Sequence, residues 1–305
     1  MDGVVSRTPP AEVRKVLRAE VNFGCPVCGN PFLTWHHFDP PWRLQHHHDP
    51  EGMVALCLQH HKEADAGAYT KAQLQALKRE PFLKDKKLRG KFSWRRQLIL
   101  LEVGSNYYIS PNHILRVADN DIVTVVRDNF GLQAVSLDFR DVNGGHILKM
   151  EANDWTLLRN VEDVECPSSA NALIIRTTNR GPRLSLRFRS FTEGKMHDRI
   201  MERYIRACRE AHHQIVNTWP TNSWTRMVVA AQPSPEVQAA GFWNSIRAAI
   251  PEWPVAVCTI DGIFVWPILL KLTSTRTVLP RQIVFSHCFK VGGGLTVSKD
   301  GNITF

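Results

Sequence analysis

Histidine and cysteine are concentrated near the N-terminus of this chain of 305 residues. Seven of the thirteen histidines lie between His36 and His61, and three of the seven cysteines, Cys25, Cys28 and Cys57, lie in or just before the same stretch. Imidazole and thiolate are the side chains that most often bind zinc and related metals in proteins. The clustering therefore predicts metal binding in this part of the chain.

Two pairs of these residues have the spacing of a closed zinc site. Cys25 and Cys28 are separated by two residues, and so are Cys57 and His60. Gly29 follows the first pair and permits the tight turn that such a pair requires. Isolated cysteines are often only small buried hydrophobic residues, but the matched spacing favours zinc. We expect a structural Zn²⁺ with three sulfur ligands and one nitrogen ligand, without which the segment does not fold.

A second set of metal ligands remains after this zinc site is accounted for. His61 and Asp65 are four residues apart, so they share one face if the residues after Cys57 form a helix. His36 and His37 are adjacent, and in an extended strand their side chains point to opposite faces. One of these two histidines can therefore bind a metal while the other acts as a base.

The order of these motifs resembles that of the HNH endonucleases, whose active site is a ββα-metal fold. The matching stretches, CPVCG, LTWHHFDPPW and HHHDPEGMVALCLQHHKEAD, lie within residues 10–80. Two positions depart from the common pattern: His60 stands where many members have a cysteine, and Asp65 where many have a histidine. The middle asparagine of the family name has no direct counterpart, and Asp49 is the candidate for its loop-orienting role.

The resemblance implies a role for each of these residues. His36, His61 and Asp65 would hold one catalytic divalent ion, and His37 would be the general base. The structural zinc would take the remaining ligands, which are Cys25, Cys28, Cys57 and His60.

The activity implied is hydrolysis of DNA phosphodiester bonds by one metal ion and a water molecule activated by His37, with 5′-phosphate and 3′-hydroxyl products. A neutral imidazole with a pKa of about 6.5 accepts a proton from water at neutral pH. Mg²⁺ is the first choice for the catalytic ion, and two imidazoles with one carboxylate also suit Mn²⁺, Ni²⁺ or Zn²⁺. Restriction and phage defence are the settings that we consider. One such site cuts one strand, so double-strand cleavage would need a homodimer or two events.

The charge of the chain agrees with an anionic partner. The formal net charge is +9 and the isoelectric point is about 9.4. Such a balance is typical of proteins that bind nucleic acid, here double-stranded DNA, although a basic protein need not do so. A basic segment lies further along the chain than His60 and His61. We interpret it as a surface that contacts DNA phosphates or, alternatively, as a solvated surface. Its DNA-binding candidates are Lys84, Lys86, Lys87, Arg89 and Lys91.

We interpret the chain as an α+β protein with three parts. Residues 1–90 form the zinc-stapled ββα-metal HNH module with its basic linker. Residues 91–192 form a mostly β domain, because short β-branched runs alternate with turn signals. Residues 193–305 form an α/β or α+β C-terminal domain with a recognition or regulatory role, beginning with a helix that carries a basic stripe at Lys195, Arg199, Arg203 and Arg206.

Nothing in the sequence suggests a membrane or secreted protein. The N-terminal segment MDGVVSRTPP lacks the apolar stretch of a signal peptide. The longest apolar run begins at Gly262, contains Pro267 and is too short to span a bilayer. The spacing of the cysteines does not match a disulfide framework. We therefore predict a cytoplasmic protein.

Two other functions compete with the nuclease interpretation. A zinc-stabilised DNA-binding protein that does not cut would keep the four zinc ligands and use the remaining histidines only as scaffold. Alternatively, residues 97–305 form a sensor that controls a nuclease, because no other catalytic cluster is recognisable there.

Overall fold

The computed structural model describes residues 6–111, 114–117, 119–178, 181–218, 232–264, 269–273, 277–279, 282–284, 289–291, 295–298 and 303–304. The protein is a mixed α+β structure dominated by sheet, as predicted. The helices in this part of the chain are α1 Ala11–Glu20, α2 Leu58–Asp65, α3 Lys71–Arg79, α4 Glu193–Thr218 and α5 Pro235–Ala249.

The strands are short and numerous. The first ten are β1 Leu33–His37, β2 Met53–Cys57, β3 Arg89–Lys91, β4 Ile99–Val103, β5 Asn106–Ile109, β6 Leu115–Val117, β7 Asn120–Arg127, β8 Gln133–Arg140, β9 His146–Glu151 and β10 Asp154–Leu157. The others are β11 Asp163–Glu165, β12 Ala172–Arg176, β13 Arg183–Phe191, β14 Val255–Phe264, β15 Leu270–Leu272, β16 Thr277–Leu279, β17 Gln282–Val284, β18 Phe289–Val291, β19 Leu295–Val297 and β20 Ile303–Thr304.

Residues 11–79 form an N-terminal module with its own small core. β1 and β2 make an antiparallel hairpin, and α2 begins immediately after β2. α3 begins with a capping box in which Thr70 accepts from the backbone N–H of Gln73 and Gln73 accepts from that of Thr70. The core includes Leu17 on α1, Leu56 on β2 and Leu74 on α3. The helices thus pack on the hairpin and fix its orientation.

The rest of the chain, here called the body, contains two sheets that face each other. The first has the strand order β20-β19-β6-β7-β8-β9-β10-β3, and the second has the order β11-β12-β13-β14-β15-β16-β17. Residues from both sheets fill the core between them, for example Leu137, Trp155, Leu186 and Cys258. β4 adds to the second sheet parallel to β14 and also pairs with β5. α4 and α5 cover the outer face of the second sheet.

The predicted boundary at residue 192 does not separate two folding units. β13 precedes this position and β14 follows it, yet they pair along nine residue positions from Arg183↔Ile263 to Phe191↔Val255. The division into 91–192 and 193–305 is therefore wrong for the strands, because backbone hydrogen bonds join the two segments in one sheet.

The basic linker predicted after the module is part of the body. Leu83, Leu88 and Phe92 are buried in the main core, and β3 pairs with β10. The charged residues between these positions obscured their apolar spacing. This segment is consequently held in place rather than free to swing.

Two residues of the basic stripe predicted on α4 pair with a buried carboxylate. Arg199 makes a bidentate ion pair with Glu102, which is completely buried in β4, and Arg203 contacts the same carboxylate. These two arginines therefore attach α4 to the sheet and are not available to bind DNA.

A buried ion pair attaches the N-terminal module to the body. The guanidinium of Arg18 on α1 donates to both oxygens of Asp163 on β11, at 2.9 and 2.8 Å. Arg176 donates to the same carboxylate at 2.9 Å. Next to this pair, the backbone N–H of Leu33 on β1 donates to the carbonyl of Cys166. The start of the hairpin is thus fixed against the body.

None of the helices in the described ranges is both long enough and apolar enough to cross a membrane.

We predict that Asp163→Ala destabilises the protein by about 3–5 kcal/mol, because it leaves the Arg18 guanidinium buried without a partner. Glu80→Ala is the control, since it removes an exposed pair with Lys84 and should cost less than about 1 kcal/mol. Urea denaturation of both variants measures the difference. Equal midpoints for the two variants would show that the buried pair does not stabilise the attachment.

Candidate functional site

The hairpin places two ligand clusters at different points along α2. Cys57 is both the last residue of β2 and the N-cap of α2, so strand and helix join without a loop. Leu33 at the start of β1 lies opposite Cys57, whereas His36 lies opposite Val54 further along the hairpin. The first turn of α2 therefore faces one ligand cluster, and the following turn faces the other.

The first cluster contains the four predicted zinc ligands. One donor atom from each of Cys25, Cys28, Cys57 and His60 lies within 4.8 Å of all the others. The Cys28 and Cys57 sulfurs are 3.9 Å apart, and Nδ1 of His60 is 3.4 Å from the Cys25 sulfur and 3.1 Å from that of Cys57. A tetrahedron with Zn–S bonds of about 2.3 Å places its sulfurs about 3.8 Å apart. The cluster can hold a metal ion such as zinc.

The local backbone brings the first two cysteines together. The N–H of Gly29 donates to the carbonyl of Cys25, and the N–H of Cys25 donates to the carbonyl of Asn30. Gly29 has a φ of +77°, the left-handed region that the sequence analysis expected a glycine to supply. Burial raises the pKa of the Cys25 thiol to about 12, so metal binding has to displace its proton.

The second cluster brings together His36, His61 and Asp65. Their donor atoms also lie within 4.8 Å of one another. Nδ1 of His36 is 3.2 Å from Oδ1 of Asp65, and Nε2 of His61 is 3.7 Å from Oδ2. Burial lowers the pKa of both histidines, and the Asp65 carboxylate raises both. The three residues that were predicted to share one ion are therefore adjacent in space.

Thr34 fixes the orientation of the His61 ring. Its hydroxyl donates to the carbonyl of Leu56 at 3.0 Å and lies 2.7 Å from Nδ1 of His61. Because a hydroxyl has one proton, Nδ1 of His61 must be the donor in the second contact. Nε2 then carries the lone pair, and this is the nitrogen that faces Asp65. The sequence gave no sign of this role, since a threonine in a strand is common.

His37 lies next to this cluster and is only 4% exposed. Burial lowers its pKa to about 4, the neighbouring His47, His48 and Arg7 lower it as well, and the backbone of His47 raises it. Neither ring nitrogen makes a hydrogen bond of good geometry within the described residues. The imidazole is therefore neutral at pH 7 and has a lone pair with which to accept a proton.

The loop between β1 and β2 is held by its own polar side chains. Asp49 accepts from the N–H of Glu51, and the N–H of Asp49 donates to Nδ1 of His47. Nε2 of His47 then donates to the carbonyl of Pro40 at 2.9 Å. Asp49 thus lies in the loop and caps the short helical turn that follows it. The share of His47 in holding the loop was not predicted.

Gly52 allows its own backbone to lie directly against the backbone carbonyl of Asp39. A Cβ at this position would lie 1.8 Å from the carbonyl oxygen of Asp39. The carbonyl of Gly52 accepts from the N–H groups of both Phe38 and Asp39. Any larger residue would push the loop away from the end of β1 and displace His37.

Trp42 and the adjacent histidines form an aromatic stack beside His37. The Trp42 ring is stacked on His46 at 4.5 Å and on His48 at 5.6 Å between centroids. It also lies 4.7 Å from the His37 ring. Two histidines of the loop, His46 and His48, are therefore engaged in packing around the candidate base.

A cavity of about 600 Å³ opens over the second cluster. His36, His37 and Asp65 line it, together with three cationic side chains that no sequence motif indicates: Arg7, Arg43 and Lys71. Lys71 pairs with Asp39. Within the described residues, Arg7 and Arg43 have no ion-pair or hydrogen-bond partner. Each was an isolated cation in the sequence, without a motif that would have marked it.

The predicted DNA-binding cations differ in their surroundings. Lys84 pairs with Glu80, and Lys91 pairs with Asp154 at 3.0 Å. The ammonium of Lys86 lies 3.6 Å above the ring of Phe82. The two cations that remain exposed and unpaired within the described part of the chain are Lys87 and Arg89.

Comparison of the chain with models of protein families, with curated proteins and with solved structures gives no match.

We predict that Cys28→Ser releases zinc and lowers the unfolding temperature of the N-terminal module by about 10 °C, because a structural zinc site contributes much of the stability of so small a core. Cys208→Ser is the control, since Cys208 lies on α4 outside both clusters. Elemental analysis and a circular dichroism melt measure the two properties. A full zinc content in purified Cys28→Ser would contradict the assignment.

Proposed function

We propose that this protein is a metal-dependent endonuclease of the HNH type that hydrolyses phosphodiester bonds of double-stranded DNA. The observation that carries the proposal is the convergence of His36, His61 and Asp65 on one point, with His36 and Asp65 lining the same cationic cavity as the neutral, buried His37. The hairpin followed directly by a helix supports it, because this is the arrangement that the resemblance implies.

The second cluster fits a divalent ion. Nδ1 of His36 and Nε2 of His61 are buried and make no hydrogen bond of good geometry within the described residues. Buried polar atoms are nearly always paired, and both of these nitrogens face the Asp65 carboxylate, so this set of donor atoms suits a divalent cation. Mg²⁺ is our first choice, and Mn²⁺, Ni²⁺ and Zn²⁺ also suit two imidazoles and a carboxylate. When bound, the ion would neutralise charge on the scissile phosphate and on the departing 3′ oxygen.

His37 would act as the general base. It takes a proton from water as the water oxygen bonds to phosphorus, and the bond from phosphorus to the 3′ oxygen breaks. The products are a 5′-phosphate and a 3′-hydroxyl, whose proton comes from solvent. The packing of Trp42 against His37 and the close fit at Gly52 hold the ring in place for this step.

The cations of the cavity would bind and orient the substrate. The Arg7 guanidinium is close enough to lower the pKa of His36, His37 and His61. Since Arg7 and Arg43 lack a protein carboxylate partner in the described structure, a phosphate is the anion that they can accept. The scissile phosphate would thus be held between these side chains and the ion.

The rival function, DNA binding without cleavage, explains less of the site. A scaffold needs neither the unpaired nitrogens of His36 and His61 nor a neutral histidine beside them. The first cluster alone would satisfy that function.

We expect His37→Ala to abolish nicking of supercoiled plasmid, a loss of at least about 100-fold for removal of a general base. His212→Ala, an exposed histidine on α4, should nick at the wild-type rate. Gel assays with Mg²⁺, with other divalent ions and with chelator measure the rates, and end mapping identifies the products. Equal nicking by wild type and His37→Ala would favour the non-cleaving rival.

Thr34→Val should weaken binding of the second metal ion by about 10–100-fold, since His61 loses the acceptor that orients its ring. Mn²⁺ binding followed by electron paramagnetic resonance measures this without relying on activity. The zinc content should stay at the wild-type level, and Thr124→Val on β7 should bind Mn²⁺ as wild type does. Wild-type Mn²⁺ affinity in Thr34→Val would remove the orienting role of the hydroxyl.

A further inference from the structure

A second cleft lies away from the candidate active site. It has a volume of about 960 Å³, against about 600 Å³ for the cavity beside His37. One wall comes from the zinc-binding turn at residues 28–32, and another from residues 82–91. The third wall is the end of the first sheet, where β3 is the last strand next to β10 and β9. Nothing in the proposed cleavage reaction uses this space.

The strand register places two cations in one row on the wall of this cleft. Thr156 on β10 lies opposite Arg89 on β3 and also opposite Lys149 on β9. Directly opposite residues in antiparallel strands point to the same face, so Arg89 and Lys149 stand on one surface about 10 Å apart. Both are exposed, and neither has an ion-pair or hydrogen-bond partner among the described residues.

The adjacent row carries less positive charge. Lys91 lies opposite Asp154, with which it pairs, and Asp154 lies opposite Glu151. Lys87 adds a further unpaired cation from the second wall. The unpaired positive charge of the cleft therefore lies mainly along the Arg89–Lys149 row and beside it, with the Glu151 carboxylate in the adjacent row, and this arrangement suits a linear anion better than a single compact one.

The other side of the cleft is aromatic and contains an unsatisfied donor. Trp155 is 2% exposed, lines the cleft, and has an indole N–H without a hydrogen-bond partner among the described residues. The ring lies against Gly90, where a Cβ would come within 2.4 Å of it. Phe32 and the 42% exposed Phe82 complete this wall. Because successive residues of a strand point to opposite faces, the Trp155 side chain lies on the core side of the sheet, away from the face that carries Arg89 and Lys149, and Phe32 and Phe82 supply the accessible aromatic surface of the cleft.

We propose that this cleft binds single-stranded nucleic acid, with the phosphates along the Arg89–Lys149 row and a base against Phe32 and Phe82. Cationic grooves with aromatic walls are the usual means of holding a strand without sequence preference. The strand would be an unpaired stretch of the DNA substrate, in which respect the inference rests on the proposed function. Because the zinc-binding turn forms one wall, a bound strand would touch the same element that fixes the start of α2.

The test measures binding of fluorescein-labelled oligothymidylate by anisotropy over a series of KCl concentrations. Full-length His37→Ala is used throughout, so that cleavage cannot remove the probe. Adding Arg89→Ala and Lys149→Ala should weaken binding at least about tenfold and reduce the log–log salt slope by about 1.4, or 0.7 for each lost phosphate contact. Arg189→Ala with Lys271→Ala removes two exposed cations elsewhere and should leave both quantities unchanged. Lys149→Arg should keep the affinity.

Three results would overturn the inference. The first is an equal loss of affinity in both double variants, which would indicate only a general charge effect. The second is duplex DNA of the same length binding more tightly and showing the same loss. The third is thymidine monophosphate competing as strongly as the oligonucleotide, which would make a free nucleotide the ligand.

The assay also separates this inference from the proposed function. Oligothymidylate binding that depends on Arg89 and Lys149, in a protein whose wild type does not nick plasmid, would leave the cleft assigned and remove the nuclease. Nicking that depends on His37, with oligothymidylate binding unaffected by the Arg89→Ala and Lys149→Ala changes, would support the nuclease and remove the assignment of the cleft.

Discussion

The direct junction of β2 and α2 at Cys57 is the constraint on which the N-terminal site depends. A strand that passes into a helix without a loop has few allowed orientations, and a metal ion on Cys57 and His60 would fix one of them against Cys25 and Cys28. The positions of the later residues of α2 follow from that orientation. His61 and Asp65 meet His36 because the helix leaves the hairpin at this angle, so the first cluster determines the geometry of the second.

Polar contacts then fix the side-chain and loop orientations that the direction of α2 does not determine. Thr34 selects the tautomer of His61, and His47 ties the loop to Pro40. These are short contacts within the hairpin and its loop, and they join residues that are 27 positions apart in the first case and seven in the second. Packing places the candidate base, His37, instead. The Trp42 ring lies on one side of it, and the close contact between Gly52 and Asp39 is nearby. Such contacts would hold the site in one geometry before a substrate binds, as the proposed catalysis requires.

The sequence was most informative where function depends on local spacing. The ligand pairs could be predicted because CxxC, CxxH and HxxxD fix geometry within one turn. Thr34, Arg7 and Arg43 could not, since their roles arise from where the fold brings single residues of common types. The same reason explains the error at residue 192. An apolar strand such as β14 shows that it will be buried, but its pattern does not show that its neighbours will be β13 and β4.

The parallel pairing of β4 with β14 has a consequence for synthesis on the ribosome. Ile99 is paired with Ala256, so the second sheet cannot form completely until most of the chain has been translated. The ligands of both clusters, in contrast, are complete once Asp65 has emerged. Vectorial folding would therefore let the metal-binding hairpin form early, while Arg18 waits for Asp163 and the nascent body still exposes unpaired strand edges.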